Sequence, residues 1–481
     1  MPAISFNPGP AYNASVSTAP ETNQIGPSSG VSARPPRSPG RMVTVLGSHA
    51  VVDFFSFVPI AMLPLLVTEI GLSNRQKALL LGLGSMTSGL IQPLVAWVSD
   101  RFNTRALSTI GFGLAVVCVS NLGRVETFWQ LMVLHGLGAA GIGAFHPPAA
   151  AATGQMAGRK RALGMGFFFV LGMSGGFLGN VLTPSIVGWF AGRAPDGADA
   201  ERFGLLGLSW LMIPGLLAVV LLGLAITRAP HRRHDAHEHH TSLGVAERRR
   251  RWFAVGVLYV GNLIRFSVNV ALIYLFSEWA EELVLGRHGL GALPEVVAGM
   301  PSEQAAGVLD LRGQIGREAS SINGPLQGAM QVGMGGMGLL LGAVLGARFE
   351  RLAFVGFPML GAVVIAVFPW LSHLSDGSAV PMALGLAVLA GVGFGSVIPV
   401  SLTAAQRLLP HRTSLASGMM LGGAWAFAFV GPLWAEGVQK VFGLSAAFYV
   451  TAAILFLAGL LSLAIPSRVL IETDHHEKQA S

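Results

Sequence analysis

Asp53 and Arg265 are the charges that long apolar stretches of this chain cannot hide. His49 precedes Asp53 by four positions, so a helix sets both on one face, a turn apart. Asp53 is the only acidic residue well inside any apolar segment as drawn below, and Arg265 the only Lys or Arg so placed. A charge at the centre of a bilayer costs at least about 2.5–3.5 kcal/mol on insertion scales, so each needs a partner or water. A carboxyl group whose surroundings alternate between dry and wet can load and release a proton, because desolvation and nearby cations act on it in opposite directions. Asp53, with His49 beside it, is therefore the candidate proton-coupling group; the plainer alternative is a static hydrogen bond between helices. Arg265 offers a two-pronged donor for a carboxylate or phosphate-like cargo, or else a fixed pair with Asp53.

A second tier is polar without fixed charge. His135 and His146 share one apolar run, and His146 stands directly before Pro147. Histidine titrates near neutral pH, or can stay neutral and bond a backbone carbonyl freed by proline. Gln92, Asn269, Gln327 and Gln331 are candidates for lining a substrate cavity, with hydrogen bonding between helices as their commoner use. Asn269 follows Arg265 by one turn on the same face. No residue pattern points to a catalytic centre or a metal site, so no enzyme activity and no cofactor are expected.

These side chains must be positioned by membrane helices. Of 481 residues 52% are hydrophobic and 11% charged, against roughly a quarter charged in a soluble domain. The 63 glycines suit close helix packing in lipid. A single cysteine, Cys118, excludes an intramolecular disulfide. The basic residues sit in short loops, which argues against nucleic-acid binding; the expected partners are lipid, protons and a small-molecule substrate, acting on a monomer. Apolar runs long enough to cross ~30 Å of hydrocarbon lie near 45–69, 77–98, 106–123, 127–150, 162–190, 204–226, 252–277, 324–346, 353–372, 381–405, 413–437 and 444–465. That predicts an all-α protein of twelve transmembrane helices. If residue 1 is cytoplasmic, that side holds 21 Lys and Arg and the other side 9, so both termini are expected on the cytoplasmic side of a bacterial cytoplasmic (inner) membrane.

The chain also repeats itself. Gly141-Ile-Gly-Ala-Phe-His146-Pro147 recurs 252 positions later as Gly393-Phe-Gly-Ser-Val-Ile398-Pro399, and the same offset carries Leu163, Gly166 and Gly179 onto Leu415, Gly418 and Gly431. A constant offset over some forty residues marks a duplicated unit, and in an apolar chain it points to a transporter with its site between the copies. The expected organisation is a disordered tail over 1–42, six helices over 43–227, a linker over 228–251, six helices over 252–466 and a tail over 467–481. The linker holds five histidines beside seven arginines; such a tract can bind zinc or nickel, but a solvated, topology-setting linker is the preferred reading. The second unit carries an insert near 286–320, in which Pro301 and Ser302 can open a short amphipathic helix over 302–317. It is either a lid over the mouth or a surface decoration.

The loop after the second helix reads Ala96-Trp-Val-Ser-Asp100-Arg101-Phe102-Asn103-Thr104-Arg105-Ala-Leu107. It resembles the loop signature of the major facilitator superfamily, matched at Asp100, Arg101, Arg105 and Leu107; Ala96, Asn103 and Thr104 depart from it. Gly346-Ala347-Arg348-Phe349-Glu350-Arg351 is a degraded second copy. The resemblance implies two six-helix bundles that rock, and a cytoplasmic latch made of Asp100, Arg101, Arg105, Arg348 and Arg351. His49-x-x-x-Asp53, Gln92-Pro93, Phe145-His146-Pro147 and an arginine in the seventh helix together resemble the fosmidomycin-resistance branch. That implies proton-coupled efflux of a small polar or anionic compound, a drug or metabolite, by antiport. Gly179-Asn180 departs from the Gly-Pro of the fifth-helix antiporter motif, whereas Gly431-Pro432 keeps it in the second half. The alternatives are uptake of an organic anion, metal or siderophore-related transport, and a membrane receptor that binds without transporting.

Overall fold

The structure, a computed structural model, describes residues 39–102, 105–157, 161–226, 244–295, 297, 300–374, 376–409 and 412–480, with side chains left aside at 100, 161–163, 376, 413–414 and 474–480. Among the described residues it is all helix and turn. Most of the tail over 1–42 and the histidine tract of the linker lie outside these residues. What is described of both is helical: α1 (Pro39–Ala61) starts within the expected tail, and α9 (Val245–Arg287) takes up the linker's last residues.

In the first half α1 breaks at Met62 and resumes as α2 (Leu63–Ile70), which stops at Gly71 in the left-handed region, φ 72°. Then come α3 (Asn74–Phe102), α4 (Ala106–Ser120), α5 (Phe128–Ala157) and α6 (Arg161–Ala191). The short α7 (Ala200–Leu206) starts on Asp199, whose carboxylate accepts the Arg202 N–H at 2.9 Å, and leads to α8 (Met212–Ile226). The second half has α9, α10 (Ser302–Val344), α11 (Ala347–Val367), α12 (Asp376–Gly395), α13 (Ile398–Leu408), α14 (Thr413–Ser417), α15 (Ala424–Phe427), α16 (Val430–Phe442), α17 (Leu444–Leu461) and α18 (Ser467–Ala480). A π-helical stretch, Gly418–Gly423, joins α14 to α15.

Eleven helical stretches among the described residues are long and apolar enough to cross a membrane, six before residue 227 and five after 244. Large apolar side chains such as Trp97, Ile110, Trp129, Leu217, Val363 and Leu457 lie exposed, which in water would be an aggregation surface and in lipid is the correct outer face. The helix α10 is long enough but not among the eleven. Its inner face carries Asn323, Gln327 and Gln331, all buried, and these lower its apolar character. The insert is not a separate short helix: Ser302 opens α10 itself, which runs unbroken for 43 residues.

The repeat is visible as matched contacts. Gly111 and Gly141 bring α4 and α5 backbone to backbone, and Gly361 and Gly393 do the same for α11 and α12. A side chain at any of these would collide with main chain, and small residues are what allow helices to approach so closely in lipid. Gly179 rests on the Phe54 backbone of α1, and Gly431 on the Ser267 backbone of α9.

Candidate functional site

The trio His49, Asp53 and His146 is assembled from two helices and walled by a third. His49 and Asp53 come from one face of α1, His146 from α5. The His49 ring stacks on Phe168 of α6 at 3.7 Å between centroids. Its Nδ1 lies 2.7 Å from the Phe168 carbonyl oxygen, and His146 Nδ1 lies 2.7 Å from the Ile142 carbonyl oxygen. A carbonyl oxygen only accepts, so both Nδ1 atoms carry the N–H. Both Nε2 atoms then face Asp53: His49 at 3.4 Å from Oδ2, His146 at 3.4 Å from Oδ1. A neutral imidazole in this tautomer aims a lone pair at the carboxylate. Each contact becomes attractive only when a proton sits on Nε2 or on the carboxyl oxygen. The geometry can accommodate a proton on either contact, and His146, with 27% of its side chain exposed, is the least buried of the three.

Gly172 makes room for this trio, since a Cβ there would meet both the His49 ring and Asp53 Oδ2. The carbonyl that receives His146 is not one freed by proline. Pro147 and Pro148 release the carbonyls of Gly143 and Ala144, whereas His146 bonds that of Ile142. The three ligand atoms lie within 4.8 Å of one another, a spacing that a single cation could also bridge. One proton per Nε2–Oδ contact satisfies the same lone pairs.

Arg265 does not join them. It is fully buried and turned into the second half, where Nη1 donates to Asn262 Oδ1 at 3.0 Å and Nη2 reaches the Phe354 carbonyl at 3.5 Å and Ser462 Oγ at 3.4 Å. The ring of Phe354 lies 5.9 Å from the guanidinium carbon. The fixed pair of Arg265 with Asp53 does not form, because neutral dipoles of its own half hold the guanidinium. Asn262 in turn donates to the Met420 carbonyl at 3.2 Å and to Ser401 Oγ at 2.8 Å. Met420 stands 252 positions after Phe168, so Asn262 fills in the second half the place that His49 fills in the first.

The remaining candidates divide. His135 is buried against Gly84, inside the packing of α3 and α5. Gln92 is half-buried on α3 beside Gly422 of the π-helical stretch, where the two halves touch. Asn269, Gln327 and Gln331 are buried on α9 and α10, each with its side-chain oxygen lacking a protein partner. Of the latch residues, Arg101 is exposed and the side chain of Asp100 lies outside the described residues. Arg105 donates to Gln155 in its own half, Arg351 to the Leu463 carbonyl in its own half, and Arg348 sits over Phe349.

Sequence reasoning missed the opposite end of the bundle, where the halves are clamped together. Lys77 of α3 is fully buried between Glu278 and Glu281 of α9, the second at 3.0 Å. Asn74 and Gln439 also donate to Glu278, at 3.0 and 2.6 Å, and Arg75 reaches Glu436 at 3.3 Å. Arg317 of α10 reaches Glu201 of α7 at 2.8 Å. The signal was present as Glu278, Glu281 and Glu282 directly after the apolar run ending near 277, but α9 runs ten residues further than that run. Contacts between halves continue down from this closed end to Met173 with Gly335 and Pro93 with Gly422.

Comparison with known proteins places the fold. The family model described as Major Facilitator Superfamily matches residues 45–309. The chain is 23% identical over 429 residues to the fosmidomycin resistance protein of Escherichia coli strain K12, covering 87% of this chain and 91% of that protein. It is 21% identical over 423 residues to the uncharacterized MFS-type transporter YfnC of Bacillus subtilis strain 168, again covering 87% and 91%. Among solved structures, a bacterial homolog of the human lysosomal transporter Spinster, inward-facing and unoccupied, matches with TM-score 0.63 and 16% identity over 91% of this chain and 99% of that one. Since that family model matches more than half of its length, from residue 45 to 309, this multi-pass chain belongs to the Major Facilitator Superfamily of membrane transporters.

Proposed function

We propose that the chain is a proton-coupled secondary transporter of a bacterial cytoplasmic membrane, exporting a small polar drug or metabolite by alternating access. The reading is carried by one observation: a buried carboxylate faced by two imidazoles whose outer nitrogens are pinned as donors. Such a trio holds a proton when closed and releases it when hydrated. In this reading α10 is the twelfth crossing, and the two halves are six-helix bundles that rock about their contact. The excess of Lys and Arg supports cytoplasmic termini, and with that orientation the clamp of Lys77 with Glu278 lies at the outer face, in an inward-facing conformation. Arg265 was the expected ligand of an anionic cargo, exported or taken up, and its inward turn removes that support from both.

The test is flux. A growth-inhibition panel with and without the gene identifies a cargo, and proteoliposomes with an imposed pH gradient measure its movement. Asp53→Asn is expected to abolish gradient-driven accumulation while leaving exchange of cargo down its own gradient. Undiminished gradient-driven transport by that variant, or no flux at all in the parent protein, overturns the proposal.

A further inference from the structure

The break between α1 and α2 is mended from the other half. Pro64 lacks an N–H, so the Ile60 carbonyl loses its helical partner. Asn323 of α10 supplies one, its Nδ2 donating to Ile60 at 2.8 Å. Ser320, a turn earlier on α10, accepts the Leu65 N–H at 3.1 Å. The chain of bonds continues inward. Asn323 Oδ1 accepts from Gln327 Nε2 at 3.0 Å, and the same Nε2 donates to the Ile273 carbonyl of α9 at 3.1 Å. Because a carbonyl fixes each end, the orientation of both amides is settled by the bonds themselves. The relay ends at Gln327 Oε1, which is buried with no protein partner.

It does not end alone. Gln331, one turn further along α10, and Asn269, one turn from Ile273 on α9, each keep a buried oxygen without a protein partner. Asn180 of α6, fully buried and packed against Gly324 of α10, has both side-chain atoms unpartnered. From Asn323 to Gln331 the ladder descends ~12 Å, and from Ile60 to Asp53 α1 descends ~10 Å in the same direction. The ladder therefore runs from the closed end to the depth of the proton trio, at the meeting of both halves.

We propose that this amide ladder is the cargo subsite, and that the part of the cargo docking there is an uncharged hydrogen-bond donor, a hydroxyl or an amide N–H. The inference rests on the transporter reading and adds the chemistry of its cargo. Of the five unpartnered atoms on these four amides, all but Asn180 Nδ2 are oxygens, and oxygens attract donors. An anion brings only lone pairs, and Arg265, the guanidinium that would have met it, points elsewhere. A cation would bring donors but no countercharge, since Asp53 already faces two imidazoles and Lys77 consumes Glu278 and Glu281.

The test is calorimetric binding to the purified full chain in detergent, using matched phenyl probes: benzyl alcohol and benzamide, benzylamine, benzoate and phenylphosphonate. The neutral donors are expected to bind at least about tenfold tighter than the two anions and than benzylamine. Gln327→Met should weaken them about tenfold, the loss of one buried hydrogen bond, and Gln331→Met serves if the first variant misfolds. Tightest binding by an anion or by benzylamine, equal binding by all heads, no binding by any probe, or folded variants that bind like the parent overturns the inference. Binding needs no gradient, so failure of proton coupling leaves this result standing, and a wrong head-group preference leaves coupling intact.

Discussion

Removing the ammonium of Lys77 strands two carboxylates in a buried site. The side chain has no solvent exposure and touches both Glu278 and Glu281. Breaking a buried pair by deleting one partner costs about 3–5 kcal/mol. Glu278 keeps donors from Asn74 and Gln439, so the lower figure applies, about 3 kcal/mol, or roughly a hundredfold in the ratio of closed to open clamp. The assay uses the chain's lone cysteine to advantage: in a Cys118→Ser background, Ser320→Cys places a thiol at the buried closed end. A membrane-impermeant maleimide, added on the side away from the termini, should label that thiol about a hundredfold faster when Lys77→Met is added. Replacing Glu278 and Glu281 by Gln in the same chain should return the rate towards the parent, because neutral amides strand no charge. A rate within about twofold of the parent in a folded Lys77→Met protein would refute the assignment of these residues as the clamp.

Three further outcomes follow from the geometry. Gly172→Ala would push a methyl into the His49 ring and to 2.6 Å from Asp53 Oδ2; gradient-driven flux should fall at least about tenfold, with a stability loss of about 1–3 kcal/mol by thermal melt, and intact coupling contradicts the trio. Arg265→Met swaps a buried charge that no described carboxylate faces for an apolar chain of similar length, so the melting temperature should hold or rise with cargo affinity unchanged; lost affinity would restore Arg265 as a ligand. Glu69, outside the spans that cross the membrane, is pushed up to about 7 by burial and then by Asp199 and Glu201, with Arg202 and Arg312 opposing. Its raised value means that the closed clamp binds this proton more tightly than an open, hydrated one near the ordinary 4.5. The stabilisation is complete below about 4.5 and lost as pH rises to about 7, so maleimide labelling of the Ser320→Cys protein should quicken over that window and Glu69→Gln should flatten the profile.

The fold was legible because its signals are large. Twenty-residue apolar runs and a fixed offset joining Gly141 to Gly393 each survive errors of several residues. The site was half legible. Helical spacing put His49 with Asp53, and His146 stood out as an ionisable group before a proline. What spacing cannot say is where a side chain points around its helix relative to neighbours not yet placed. Arg265 and Asp53 occupy helices that the repeat makes equivalent, yet Arg265 lies one position out of phase: Gly179 against Phe54 and Gly431 against Ser267 align Asp53 with Phe266. One residue is a rotation of about 100°, enough to turn a guanidinium from the space between halves into the core. The clamp was missed for a different reason, since Lys77 and Glu278 lie at the ends of apolar runs, where charges usually mark solvent.

The polar inner face of α10 reaches back to how the protein is made. A segment with three buried carboxamides and many glycines partitions poorly into lipid on its own as it leaves the ribosome, while α9 and α11 enter readily. In the twelve-helix reading, its retention in the bilayer depends on neighbours that can accept its amides, above all the Ile273 carbonyl of α9 and the gap left by Pro64. Assembly of the second half therefore waits upon a first half already in place, and a truncated gene encoding residues from 245 onward alone is expected to yield a chain in which this one helix is left unthreaded.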